Sequence, residues 1–175
     1  MKRESIVGPL LLALVLGAGF GCGYALVGTA SNIPAHVQTV HLEPLENRTR
    51  RSEVEQILTE AIAQELVTRR RFDLVDDREA ADALLDGAVL RFDVRPLNFD
   101  AQGRTTEYQI TINLQMRFFD RVEEQILWAN DSYTYKESYP VEASDIDYFD
   151  QEKLAIEEAA ETFARTMIID LLEGF

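Results

Sequence analysis

From Glu107 to Phe118 the chain alternates without exception. Tyr108, Ile110, Ile112, Leu114, Met116 and Phe118 are apolar, and Glu107, Gln109, Thr111, Asn113, Gln115 and Arg117 stand between them. Successive side chains of a strand point to opposite faces, so this pattern predicts a strand with one buried face and one wet face. A strand wet on one side belongs to an antiparallel sheet, because parallel sheets are covered on both. The rest of the chain must supply neighbouring strands and apolar cover for one face.

Both are legible. Ala83 to Pro96 reads as the preceding strand, with Leu84, Ala88, Leu90, Phe92 and Val94 expected on one face and a bulge at Asp86-Gly87. Asn98 to Arg104 reads as a hairpin loop, and Asp120 to Glu124 turns the chain into a last strand, Ile126 to Tyr135. Val37 to Leu45 and Phe72 to Val75 are earlier strands. The cover comes from two helices. Val54, Ile57, Leu58, Ala61, Ile62 and Leu66 form one stripe of a helix ending near Arg70, with Ser52 and Glu55 spaced as a capping box. Ile156, Ala159, Ala160, Phe163, Ala164, Met167, Ile168 and Leu171 form the stripe of a second helix, Gln151 to Glu173, with Asp150 as N-cap and Phe149 and Leu154 as a hydrophobic staple. Residues 136–149 are expected to be a polar loop. The predicted fold is α/β of the α+β kind: a two-layer sandwich, with two long helices packed on one face of a mostly antiparallel mixed sheet.

The front of the chain is different. Lys2 and Arg3 precede a run from Ile6 to Phe20 with no charged residue. The run falls short of the ~18–20 apolar residues a spanning helix needs and carries Gly8, Pro9, Gly17 and Gly19, so it reads as a signal peptide. It ends at Cys22, the sole cysteine. Gly19 to Cys22 resembles the lipobox of bacterial lipoproteins, although that pattern usually has Leu where Gly19 stands. The expected division is 1–21 as lipoprotein signal peptide, 22–38 as a lipidated N-terminal tether and 39–175 as one domain. One thiol excludes an intrachain disulfide framework. The formal net charge of −14 weighs against nucleic acid and anionic membrane surfaces as partners.

Catalytic chemistry is not visible. The two histidines, His36 and His41, stand five apart near the first strand with no metal-binding pattern, and solvent-facing positions are expected for both. The acidic sets Asp76-Asp77, Glu123-Glu124 and Asp145/Asp147/Asp150 do not follow a calcium-loop spacing and read as solvated faces. There is no Gly-rich phosphate loop and no nucleophile elbow. No cofactor or metal is expected. Arg69, Arg70 and Arg71 end the first helix, where cations complement the helix dipole.

Several short motifs, taken in order, resemble the LptE family of lipopolysaccharide-assembly lipoproteins. They are Cys22-Gly23-Tyr24-Ala25-Leu26-Val27-Gly28, Pro44-Leu45-Glu46-Asn47-Arg48-Thr49, Ala81-Asp82-Ala83-Leu84-Leu85-Asp86-Gly87, Glu107-Tyr108, and Asp120 with Ile126-Leu127-Trp128. The resemblance implies a non-enzymatic protein lipidated at Cys22, anchored on the periplasmic face of the outer membrane. Its partners would be the outer-membrane barrel LptD, which it plugs and helps assemble, and lipopolysaccharide, which it helps deliver to the cell surface. Gly23, Tyr24 and Leu26 become candidates for partner docking. Arg48, Arg50 and Arg51 at one end of the first helix, and Arg69, Arg70 and Arg71 at the other, are candidates for lipopolysaccharide phosphates. The segment from Val40 to Val89 also resembles periplasmic lipoproteins that activate peptidoglycan synthases and CsgG-like secretion components, which is the alternative.

Overall fold

The computed structural model describes residues 33–140 and 148–173. In chain order the elements are β1 (Thr39–Leu42), β2 (Glu46–Asn47), α1 (Val54–Arg69), β3 (Asp73–Leu74), β4 (Ala83–Phe99), β5 (Thr105–Asp120), β6 (Gln125–Pro140) and α2 (Tyr148–Glu173). The strands form one open six-stranded sheet in the order β3-β1-β4-β5-β6, with β2 pairing beside β4. Pairing of β1 with β3 and β4, and of β2 with β4, is parallel. The β4–β5 and β5–β6 pairs are antiparallel. The fold is thus α+β, with a mixed sheet whose longest strands are antiparallel.

β5 behaves as its alternation predicts. Tyr108, Ile110, Ile112, Leu114, Met116 and Phe118 are all buried, whereas the polar residues between them are half-buried or exposed. The inward set joins a single hydrophobic cluster with Val54, Leu58, Ile62 and Leu66 of α1 and the whole predicted stripe of α2. Tyr133 and Tyr135 of β6 stack edge-on against Phe163 of α2, at 5.7 and 5.9 Å between ring centroids. Burial of this area is the main stabilising term, at roughly 25 cal/mol per Å² of apolar surface.

β4 corrects the sequence reading. Its register with β5 is continuous from Ala83 to Val89, so no bulge lies at Asp86-Gly87. The irregularity falls between Val89 and Arg91 instead, at Leu90. One extra residue there moves the inward set from the odd to the even positions. Leu85 and Val89 therefore share the core with Phe92, while Leu84 and Ala88 lie on the opposite face.

The helix starts also differ. α1 begins at Val54, behind Glu53 in a left-handed conformation (φ 66°), with no side-chain cap. Ser52 and Glu55 form no capping box, because the helix starts one residue late for that spacing. Glu55 instead accepts a 2.6 Å hydrogen bond from Asn47 Nδ2. α2 begins at Tyr148, so Asp150 is inside the helix rather than its N-cap, and Leu154 is exposed rather than stapled. Part of the predicted polar loop is strand, since β6 runs on to Pro140. Among the described residues no helix is long and apolar enough to cross a membrane.

The residues before β1 are held by two aspartates. Asp82 Oδ2 accepts the backbone N–H of Gln38 (2.9 Å) and Thr39 (2.8 Å) and the Thr39 hydroxyl (2.9 Å). Those backbone donors, Thr39 first and then Gln38, hold the Asp82 carboxyl below the usual carboxylate range. Asp120, fully buried, accepts His36 Nε2 at 2.8 Å and the N–H groups of Val122 and Glu123. Burial pushes the Asp120 carboxyl up, but the Glu123, His36 and Val122 hydrogen bonds outweigh it and the net direction is down. Ile33 and Val37 sit in the core, so residues 33–38 pack against the domain rather than trailing from it.

Candidate functional site

Among the described residues no catalytic constellation is apparent. Among the described residues, no three His, Cys, Asp or Glu side chains are grouped to hold a metal ion. His36 is exposed as expected, although it is held by a buried partner, whereas His41 is not solvent-facing. His36 is tied to Asp120, and His41 Nδ1 lies 3.0 Å from the Val75 carbonyl with its side chain only 15% exposed.

The feature with the most organised polar chemistry is the sheet face turned away from the core. Along β5 it presents Gln109, Thr111, Asn113, Gln115 and Arg117, and the last three find cross-strand partners. Arg117 donates through Nε and Nη2 to Asp86 Oδ2 on β4, at 3.1 and 2.9 Å. Gln115 donates to Asp131 on β6 at 3.2 Å and lies within 3.4 Å of Arg48, which is itself held by Glu46 at 2.6 Å. Asn113 Nδ2 donates to Ser132 Oγ (2.9 Å) and Thr134 Oγ1 (2.5 Å). Asp93 bridges Arg91 and Arg95 at 3.0 and 2.7 Å. Arg91 first, by hydrogen bonding, draws the Asp93 carboxyl below its ordinary value against a smaller desolvation penalty.

This face is neutral by count: Arg48, Arg91, Arg95, Arg117 and Lys136 stand against Glu46, Asp86, Asp93, Glu107 and Asp131. The two helices carry half of the chain's formal net charge of −14. α1 carries Glu55, Glu60 and Glu65 against Arg69, and α2 has seven acidic residues against Lys153 and Arg165. The groove between the helices is walled by Glu60, Gln64, Glu157 and Glu161. Two surfaces of different electrostatic character result. The sheet face offers hydrogen-bonding groups without net field, and the helix face repels anions.

The two arginine clusters stay apart, at opposite ends of α1, separated by about 24 Å at 1.5 Å rise per residue. Several members are already engaged. Arg48 pairs with Glu46, Arg51 with Glu152 at 2.7 Å, and Arg69 with Glu65 at 2.6 Å. Arg51 also lies over the Phe92 ring and Arg71 over the Phe72 ring, at 5.6 and 5.0 Å. Among the described residues, Arg50, Arg70 and Arg71 have no carboxylate within ion-pairing distance. Arg50 borders a cavity of about 470 Å³ floored by Val54, Ile57, Phe92 and Ile156 and also lined by Lys153. Arg70 is the left-handed C-cap of α1 (φ 52°), a backbone role. Cys22, Gly23, Tyr24 and Leu26 lie outside the described residues.

The polar side of β5 was legible from its alternation. The pairs that populate it were not, because Asp86–Arg117 and Asn113–Ser132/Thr134 follow from a register that only the fold fixes.

A family model described as lipopolysaccharide-assembly, LptE, matches residues 37–171. No curated protein matches the sequence. Among solved structures, protein XCC0632 from Xanthomonas campestris is 13% identical over 81% of this chain and 90% of that one, with a TM-score of 0.53. The PelC dodecamer from Paraburkholderia phytofirmans is 12% identical over 78% and 87%, at 0.50. The rare lipoprotein B from Shewanella oneidensis is 13% identical over 78% and 96%, at 0.50. At these identities the likeness is one of fold.

Proposed function

Because the chain belongs to the LptE family of lipopolysaccharide-assembly proteins, we propose that it is the lipid-anchored plug subunit of the outer-membrane barrel LptD. In this reading it assists assembly of the barrel and delivery of lipopolysaccharide to the cell surface. Residues 1–21 direct export, Cys22 carries the acyl chains, and Gly23, Tyr24 and Leu26 begin the docking segment. A single acyl chain gives marginal membrane binding, so stable anchoring takes more than one. The family is one of non-enzymatic lipoproteins, and the role asked of the domain is to fit and to hold.

The observation that carries this reading is the charge-balanced, hydrogen-bonding face of the sheet. Interiors of large outer-membrane barrels are polar and wet. A surface with paired polar side chains and little net field suits such a wall. In this reading the two helices layer over one face of the sheet and the other is left to the barrel. Lipopolysaccharide phosphates would be met at the Arg48, Arg50 and Arg51 end of α1, where Arg50 has no carboxylate partner among the described residues and the apolar floor of Phe92 and Ile156 adjoins it. The Arg69, Arg70 and Arg71 end is the second such candidate.

The test is co-purification of the full-length protein from membranes. Recovery of a large outer-membrane barrel is the expected result; recovery of a cell-wall synthase without a barrel would favour the activator reading instead. Cys22→Ala is expected to fold normally but to leave the outer membrane unless the barrel retains it. Charge reversal of an arginine cluster that leaves lipopolysaccharide binding unchanged removes that cluster from consideration.

A further inference from the structure

The two edges of the sheet are unlike. One is β3, two residues long, the short edge by which natural proteins avoid pairing with strangers. The other is β6, sixteen residues long, paired with β5 on one side and, among the described residues, with nothing on the other. Its one proline is the last residue, Pro140. Both irregularities in its register with β5 fall in its first half, and from Tyr133 to Pro140 the pairing is unbroken. Every second residue along that stretch aims its N–H and C=O away from β5. A long edge with regular pairing, interrupted only by the charges of Lys136 and Glu137, is the feature that a strand-adding partner of complementary charge can use.

We propose that the outer edge of β6, from Tyr133 to Pro140, docks an extended segment of the partner barrel protein as an added strand. This rests on the barrel-partner reading above. The side chains flanking the edge state what that segment carries. On the core side, Tyr133 and Tyr135 pack on Phe163 and their hydroxyls bond Asp170 and Tyr139, while Glu137, opposite Ile110, stands exposed between Tyr135 and Tyr139, so an incoming strand extends the row with aromatic or aliphatic residues and meets Glu137 with a basic one. On the polar side stand Thr134, Lys136 and Ser138, and Lys136 has no carboxylate partner among the described residues. The segment therefore alternates mostly apolar residues with hydroxyl or acidic ones, a basic residue falling opposite Glu137 and the acid opposite Lys136. A second copy of this chain is disfavoured as occupant by mutual repulsion at a net charge of −14.

Amide hydrogen exchange on the full-length protein, alone and in its purified complex with the barrel, tests the proposal. In the free protein, alternate amides from Tyr133 to Tyr139 exchange fast, because they face water. In the complex the same alternate amides are expected to slow by at least about a hundredfold, while those bonded to β5 change little. A barrel complex with unchanged β6 exchange overturns the added strand and leaves the plug reading standing. Failure to form any barrel complex overturns both. Alternate protection already present in the free protein means that a segment of this chain or a second copy fills the edge, and the proposal is wrong.

Discussion

Replacing Gly87 by alanine is expected to lower stability by about 3 kcal/mol. Gly87 pairs with Met116 in the middle of the β4–β5 ladder. A Cβ there would lie 2.3 Å from the Gln115 carbonyl oxygen and 2.4 Å from Met116 Sδ. Carbon–oxygen contacts ordinarily begin at about 3.3 Å, so the overlap is roughly 1 Å. The sulfur can swing aside, at the expense of a side chain that is 1% exposed. The carbonyl cannot, because it belongs to the backbone of a strand paired on both sides. Relief therefore separates β4 from β5 locally. Overpacking of this kind costs about 1–3 kcal/mol, and a strained ladder hydrogen bond adds about 1. The lower chain entropy of alanine returns less than about 1 kcal/mol. Urea or thermal unfolding followed by circular dichroism reads the difference, expected as a drop in Tm of roughly 10 °C for a domain of this size. Gly103→Ala is the comparison. Nothing lies within 4 Å of its Cβ, and only its positive φ of 78° opposes the change, a penalty of about 1 kcal/mol. If Gly87→Ala unfolds within about 0.5 kcal/mol of the parent, the close approach of the two strands is not what selects glycine there.

Three further outcomes are expected. Asp120→Ala strands the N–H groups of Val122 and Glu123 and releases His36, and is expected to cost about 2–4 kcal/mol in the same assay. Stability should also fall with acid: Asp82 and Asp120 have carboxyls lowered by folding, so their contribution is complete above the unfolded carboxylate value near about pH 4 and is lost as pH drops through the folded values. A urea midpoint as high at about pH 3 as at about pH 7 would contradict this, and Asp82→Asn should reduce the difference. Phe163→Ala removes the ring against which Tyr133 and Tyr135 stack, at 0% exposure, and is expected to cost about 3–5 kcal/mol with m unchanged.

What the sequence made legible is what depends on local periodicity. The alternation of β5 and the stripes of both helices are sums over many residues, and one irregularity does not erase them. The misreadings all turn on a single residue. Leu90 shifts the β4 register by one, and the inward set passes from Leu84 and Ala88 to Leu85 and Val89. Ser52 and Glu55 have capping-box spacing, but Asn47 claims the Glu55 carboxylate from across the loop. His41 looked like a surface residue because its partner, the Val75 carbonyl, lies 34 positions later. The candidate site shows the same division. That β5 has a polar face was evident, whereas its near-neutral charge required knowing that Arg117 meets Asp86 across the sheet.

The place of β1 in the sheet bears on the order in which the protein folds. β4, β5 and β6 are joined by tight turns, so their pairing closes short loops and forms early. β1 has no such neighbour. Its partners β3 and β4 both come later in the chain, and Val40 must wait for Leu74 and Ala83 before it is covered on either side. If the proposed signal peptide sends the chain N-terminus first through a membrane pore, Ile33, Val37 and Val40 emerge early and are buried late. That interval, which ends when Asp82 takes hold of Thr39, is when the nascent protein is most open to capture by a chaperone or to aggregation.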